Sequence, residues 1–277
     1  MRGGTWLAFQ RGDRPGAFKF SVVHNFRHAG VLVPDARSRG DLPTNFVRAD
    51  VSAADYAYSV EAAAYEYNGF TLVVVDQDDA YFVSNRPRQV RHLEPGFYAL
   101  SNASLDAPWP KLVLGKSTFT RLLATHLEEP ELSDRQLSRV LADAVLRNAA
   151  LFPHDLPGIL APGREVALSS VFVAPYEWDD SGMYGTRTHS LVFVHPDGSA
   201  FLAEHNLEAH EFQSAAYLAR DRRDAAKPPL IPDADEVLAR AKQIGSAASR
   251  AIGQEAVRGR WRVREFDLPP WDALARL

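Results

Sequence analysis

Four short polar clusters stand at the ends of apolar runs: Asn25-Phe26-Arg27, Ser84-Asn85-Arg86, Ser101-Asn102 and Thr186-Arg187. A guanidinium pairs with a carboxylate or phosphate through a planar fork of donors, and a side-chain amide both donates and accepts. Brought to one edge of a sheet, such groups form an anion-friendly pocket. The same residue types also cap strands and satisfy loop carbonyls, and the sequence leaves both uses open. Asn25, Arg27, Asn85, Arg86, Asn102 and Arg187 are therefore candidate ligand-binding residues. Trp109 joins them as an apolar wall, because the prolines on either side fix its backbone and set its indole for burial.

Other chemistries find less support. His24 and His28 flank Asn25-Phe26-Arg27 and can bind a metal or a haem iron, or simply make hydrogen bonds at a strand end. Glu204, His205, Glu208, His210 and Glu211 are the densest metal-capable set. No two of its histidines are three or four residues apart, so the expectation is a solvated face and no metal site. Asp76, Asp78 and Asp79 suggest a cation loop but lack its central Gly and distal Glu, and read as a solvated hairpin turn. Gly115-Lys116-Ser117 resembles the end of a phosphate loop, yet Pro110 stands where the first Gly belongs. Lys116 is instead expected in the first turn of a helix. Asn102-Ala103-Ser104 is a glycosylation triplet by pattern only. No G-x-S-x-G elbow occurs, and Ser169-Ser170 is expected inside a strand as structural hydroxyls. With no cysteine, thiolate chemistry and disulfides are excluded from these residues. No catalytic residue and no required cofactor are assigned.

The chain of 277 residues is 46% hydrophobic and 24% charged, enough to bury a sizeable core. A net charge of −4 gives no footprint for nucleic acid. No run of apolar residues is long enough for a membrane span, and Trp6, Leu7 and Phe9 are too interrupted for a signal-peptide core. The expected compartment is the cytoplasm, and the Ala- and Arg-rich composition has a bacterial character.

The elements that must position these groups follow from periodicity. Strands are expected over 5–10, 17–25, 70–75, 80–84, 97–100, 166–174, 188–195 and 200–205, with an edge strand over 260–266. Helices are expected over 52–67, opened by Ser52 with Asp55 in capping-box spacing, and over 116–127, 133–146 and 233–256. Tyr56 and Tyr67 fall on the core face of the first helix. Residues 34–43 and 175–184 read as polar loops. Antiparallel strands interleaved with paired helices argue for an α+β layered domain over residues 1–206. Residues 207–277 read as a linker and a helical C-terminal extension packed on it.

An ordered series of motifs carries a resemblance: GGTWL at 3–7, Asn25-Phe26-Arg27, SRGDL at 38–42, YNGF at 67–70, Ser84-Asn85-Arg86, PGFYALSN at 95–102, LDAPWPK at 105–111, SSVFV at 169–173 and YGTR at 184–187. Together they resemble the NRDE family, that of the transport and Golgi organisation protein, over about residues 3–205. The resemblance implies an αββα sandwich like that of N-terminal-nucleophile hydrolases. It implies a link to haem trafficking and to lipid or acyl-CoA homeostasis, and hence a small hydrophobic anionic ligand, haem or an acyl-type anion, as partner. The family's opening Cys and Asn-Arg-Asp-Glu segment precede GGTW, and neither occurs in these residues. The expectation is a chain non-catalytic as given, with a start placed downstream of the true one. Its alternatives are an amide hydrolase whose nucleophile is missing and a protein-interaction scaffold.

Overall fold

The computed structural model describes residues 4–12, 14, 16–28, 32–128, 132–179, 182–197, 199–206 and 262–265. Two compact units emerge, the first built on the chain up to Pro108 and the second on Trp109–Val194 and Ala200–Asp267. Both combine helices with antiparallel sheet, which makes the protein α+β.

The first unit is a five-stranded antiparallel meander: β1 (Leu7–Arg11), β2 (Phe18–Asn25), β3 (Phe70–Asp76), β4 (Ala80–Asn85) and β5 (Arg88–His92). Alternation along these strands makes two apolar faces. One face carries Val23, Phe70, Leu72, Val74 and Val83, and packs under helices α1 (Asp41–Arg48) and α2 (Ala53–Ala62). The other carries Val22, His24, Thr71, Val73, Val75 and Phe82, aligned by the pairs His24–Thr71, Val22–Val73 and Val73–Phe82.

Helix α1 corrects the expected loop over 34–43. Pro43 is its third residue, where a missing N–H costs no intrahelical bond, and Phe46 and Leu42 are buried against the sheet. Lys19 closes its far end, its Nζ donating to Ala49 O and Val51 O and lying 5.1 Å from the Phe46 ring centroid. Ser52 caps α2 as its spacing implies, accepting from Asp55 N at 3.0 Å. The α-helix stops at Ala62, and Ala64–Glu66 continue as a 3₁₀ turn. Tyr56 and Tyr67 are buried, and Tyr56 Oη donates to Leu42 O at 2.8 Å.

The expected strand over 97–100 is absent, and β5 takes its place. Arg-Gln-Val-Arg-His carries little apolar signal because β5 is an edge strand, where charged side chains protect the open ladder. Residues 97–100 are held by Asp106 instead: its N–H donates to Ala99 O and its Oδ1 accepts from Ala99 N, each at 2.8 Å, with Asp106 at φ 54°.

In the second unit α3 (Pro110–Glu128) packs with α4 (Asp134–Leu141), which runs on as a π turn over Ala142–Leu146. Leu122, Leu137, Leu141 and Val145 form their core, with Leu191 and Phe193 against it. The helix α5 (Pro162–Ala167) and an irregular segment replace the expected strand over 166–174. Pro162 starts α5, and the buried Glu165 accepts from Ile159 N and Leu160 N at 2.9 and 2.8 Å, which fixes a turn in place of a ladder. Where a polar loop was expected over 175–184, β6 (Tyr176–Asp179) pairs with β7 (Gly182–Tyr184). β8 (Thr188–Val194) and β9 (Ala200–Asn206) pair as expected, and β10 (Arg262–Glu265) adds to β9. The helix expected over 233–256 lies outside the described residues.

Candidate functional site

The strand registers bring Asn25 and Asn85 to the same end of the first sheet. Asn25 pairs with Phe70 at the start of β3, and Phe70 N donates to Asn85 Oδ1 at 2.8 Å. Asn102 joins this end: its Nδ2 donates to Asn25 O at 2.8 Å, and its carbonyl accepts from Arg27 N at 2.7 Å. Arg86 follows Asn85 on the surface, with Nη1 donating to Asn85 O at 3.0 Å and a cis bond to Pro87. Five of the sequence-predicted residues thus share one sheet end.

Their roles diverge there. Asn85 is buried, and its Nδ2 reaches Ala64 O and Tyr67 O at 3.1 Å and Asn68 O at 3.3 Å. The amide thus donates through its Nδ2 and accepts at its oxygen, and both ends hold the start of β3 to the turn after α2. Trp109 and Arg187 lie in the second unit, Arg187 exposed. Trp109 is only partly buried, which corrects the expected burial; its carbonyl accepts from Leu112 N and Val113 N at the start of α3, and Lys111 Nζ sits 5.7 Å from its ring centroid. Lys116 is likewise not in the first turn of α3, which begins at Pro110.

The open face of the first sheet carries a cleft of about 680 Å³, within the range of small-molecule sites. Val22, Val73 and Val75 make its floor, Leu93, Leu100 and Leu105 a wall, and the Asp76–Ala80 turn with His92, Glu94 and Tyr98 a polar rim. His24 stands at the end of the floor nearest Asn25. Two residues along a strand advance about 6–7 Å, so the floor runs about 13 Å from the His24–Thr71 pair to Val75.

The rim is tightly organised. Asp76 is buried, unlike the solvated turn the sequence suggested. Its Oδ2 accepts from Ala53 N at 2.6 Å, and its Oδ1 from Asp78 N and Asp79 N at 3.0 and 2.9 Å. One carboxylate thus ties the β3–β4 turn to the start of α2, where a negative charge is favourable. His92 Nε2 lies 2.8 Å from Asp79 Oδ1 and its Nδ1 3.2 Å from Glu94 Oε1. The hydrogen bond His92 donates to Asp79, joined by the charge of the nearby carboxylates, holds His92 above its ordinary pKa. Tyr98 Oη donates to Glu94 O at 2.7 Å. Burial instead pushes His24 below its ordinary value and keeps it neutral. The cleft therefore has an acidic rim at the turn end, and Arg27 and Arg86 follow the strand ends beyond the other.

His24 was visible in the sequence as a metal- or haem-capable residue. His92, Glu94 and Tyr98 were not, since the β4–β5 register (Tyr81 opposite His92) creates their contacts and no spacing announces it. His28 packs by Gly69, where an added Cβ would meet its Cδ2 at 3.1 Å.

In the second unit His205 corrects the solvated-face expectation: it is buried opposite His189, ring centroids 6.4 Å apart. Burial, with Arg147 nearby, pushes His189 down to about 4. Glu208, His210 and Glu211 lie outside the described residues. Among the described residues no three metal-capable side chains cluster. Ser169 Oγ accepts from Phe152 N at 2.8 Å and donates to Val166 O at 2.7 Å, and Ser170 Oγ donates to Phe172 O at 2.6 Å; both are structural, but in a loop. No described helix is long and apolar enough to cross a membrane.

Residues 1–209, which contain the cleft and every candidate ligand-binding residue, match the profile of the family Transport and Golgi organisation 2. The chain belongs to that family. A bovine relative, Transport and Golgi organization protein 2 homolog, is 33% identical over 215 residues, covering 74% of this chain and 72% of its own. The human homolog is 30% identical over 212 residues with the same coverage, and the Drosophila melanogaster Transport and Golgi organization protein 2 is 29% identical over 216. The NRDE resemblance read from the motifs is this family.

Proposed function

We propose that this chain binds and carries a small, largely apolar ligand in the cleft of its first unit, haem or an acyl-type anion, with no covalent chemistry. The observation that carries the reading is the cleft itself: an apolar floor about 13 Å long on a sheet whose other face is already filled by α1 and α2. The layered sandwich implied by the family belongs to the same proposal, the first unit supplying one helical layer and one sheet.

Charge sets the direction of the ligand. Asp78, Asp79 and Glu94 repel a carboxylate at the turn end, while Arg27 and Arg86 favour it at the end of Asn25 and Asn85. The ligand's apolar body lies on Val22, Val73 and Val75 with its anionic group toward His24. Titration with haemin, followed by absorbance, and with a fluorescent long-chain fatty acid tests this. Saturable micromolar binding of either probe is expected, abolished by Val73→Trp, which fills the floor. The proposal fails if neither probe saturates, or if Val73→Trp binds as the parent does.

A further inference from the structure

The SRGDL stretch at 38–42 lines no part of the cleft, yet most of it has a visible structural task. Gly40 lets two backbones touch: its carbonyl accepts from Thr5 N at 3.0 Å, and an added Cβ would meet Gly4 Cα at 3.2 Å. Leu42 is buried, and its carbonyl accepts from Tyr56 Oη. Arg39 is left over. Its Nη1 donates to Gly69 O at 2.9 Å, a carbonyl that also accepts from Phe26 N at 2.9 Å. The guanidinium therefore stands at the sheet end of Asn25 and Asn85, because Phe70 follows Gly69, pairs with Asn25 and bonds Asn85.

Arg39 differs from its neighbours in what it lacks. The side chains of Arg37 and Arg88 are 52% and 57% exposed, and each holds a carboxylate, Glu66 and Glu61. Arg39 is more buried than either, and burial holds its guanidinium below its ordinary pKa. No carboxylate pairs with it: Asp41, two residues on, makes no ion pair with it, and Glu66 is taken by Arg37. A solvated arginine gains little from a carboxylate, whereas a desolvated one needs compensation. The pairing among these three is the reverse of what their burial requires. Apart from the N–H given to Gly69, the Arg39 donors have no partner among the described residues, and none of them is sealed from solvent. An anion arriving from solution can reach them. His28 lies against the same glycine, its Nε2 3.4 Å from where a Cβ would stand, and brings a second polar side chain to the spot.

We infer that Arg39 anchors an oxyanion site at this end of the first sheet, its guanidinium fork taking two oxygens of a carboxylate or a phosphate. The fork matches such groups in shape as well as charge, which an ammonium does not. The Gly69 carbonyl already holds one arm of it, so less side-chain freedom is lost when the anion arrives. Arg27 and Arg86 stand at the same sheet end and add to the positive field. The inference does not depend on the cleft, which takes no residue from this stretch.

The chain is titrated with inorganic phosphate and, separately, with acetate, at an ionic strength held constant with chloride. NMR of the Arg39 Nε–H group and of the Phe26 and Gly69 amides reads the response. A saturable shift with at least one anion is expected, with a Kd of about 1 mM. Saturation by phosphate alone assigns a phosphoryl ligand, and saturation by acetate assigns a carboxylate. Arg39→Lys keeps the charge and loses the fork, and is expected to bind about tenfold more weakly. Arg39→Gln removes both and is expected to show no saturation, with circular dichroism confirming that each variant is folded. Should Arg39→Gln not fold, Arg39→Lys and the wild-type titration decide. The inference is overturned if neither anion saturates the wild-type chain, if Arg39→Gln binds as the parent does, or if Arg39→Lys stays within about twofold of it. A lowered thermal midpoint in Arg39→Gln with no anion response in the parent overturns it too, and leaves Arg39 the task of holding Gly69. None of these results touches the haemin and fatty-acid titrations, which test the cleft separately.

Discussion

Asn85 decides whether the polar end of the first sheet is ligand surface or scaffold. Replacing it by Ala strips Phe70 N of its buried acceptor and takes a donor from Ala64 O, Tyr67 O and Asn68 O. One buried orphan N–H costs about 1–3 kcal/mol. The carbonyls, partly rescued by water, add a comparable amount, so the expected loss is about 4 kcal/mol. Asn85→Asp sharpens the test. It keeps the acceptor for Phe70 but turns an anionic oxygen toward three carbonyls, which raises the new carboxyl above its usual value near about 3.9. A group with a raised folded pKa favours the fold while protonated, so this variant should gain stability as pH falls from 7 toward 5. Urea denaturation at both pH values and hydrogen exchange at the Phe70 amide supply the readouts. A loss below about 1 kcal/mol for Asn85→Ala, with Phe70 still protected, would refute the assignment of Asn85 to the scaffold.

Two further predictions concern titration. Both His92 contacts need both ring N–H groups, so the bridge from the turn to Glu94 is full below about pH 6.5 and is lost as pH rises through the raised pKa. NMR should find His92 titrating above 6.5 and falling back in Asp79→Asn; a value at or below 6.5 in the parent chain would contradict the bridge. His189 has the opposite sign. Its folded pKa of about 4 lies below the unfolded value. Stability should therefore fall as pH drops from about 6.5 to about 4, by about 3 kcal/mol, and His189→Phe should flatten that part of the profile.

Legibility in the sequence followed how local the signal was. β2 showed in its alternation, β3 as an apolar β-branched run with β4 returning after its turn, and α2 in Ser52 and Asp55. α1 was hidden by Pro43, harmless in a first turn, and β5 by the charges an edge strand carries. The segment over 166–174 looked like a strand, but the Glu165 carboxylate bonds two upstream amides and commits it to a turn. At the site, Asn25 and Asn85 were legible as strand ends, with their convergence left as one of two open uses. That Asn85 faces inward was not, because its partners come from the turn after α2. The cleft rim was illegible for the same reason: Asp79, His92 and Glu94 meet only through strand register.

Homology and architecture stop at different places in this molecule. The family match ends at residue 209, yet the sheet of the second unit takes its outer strand from Arg262–Glu265. A shortened chain cut where the match ends would present the bare hydrogen-bonding groups of β9 to its neighbours, and such edges recruit strands from other copies. Comparative work on trimmed versions should therefore expect self-association to masquerade as a biological interaction. The C-terminal strand is the natural internal competitor to restore in that case.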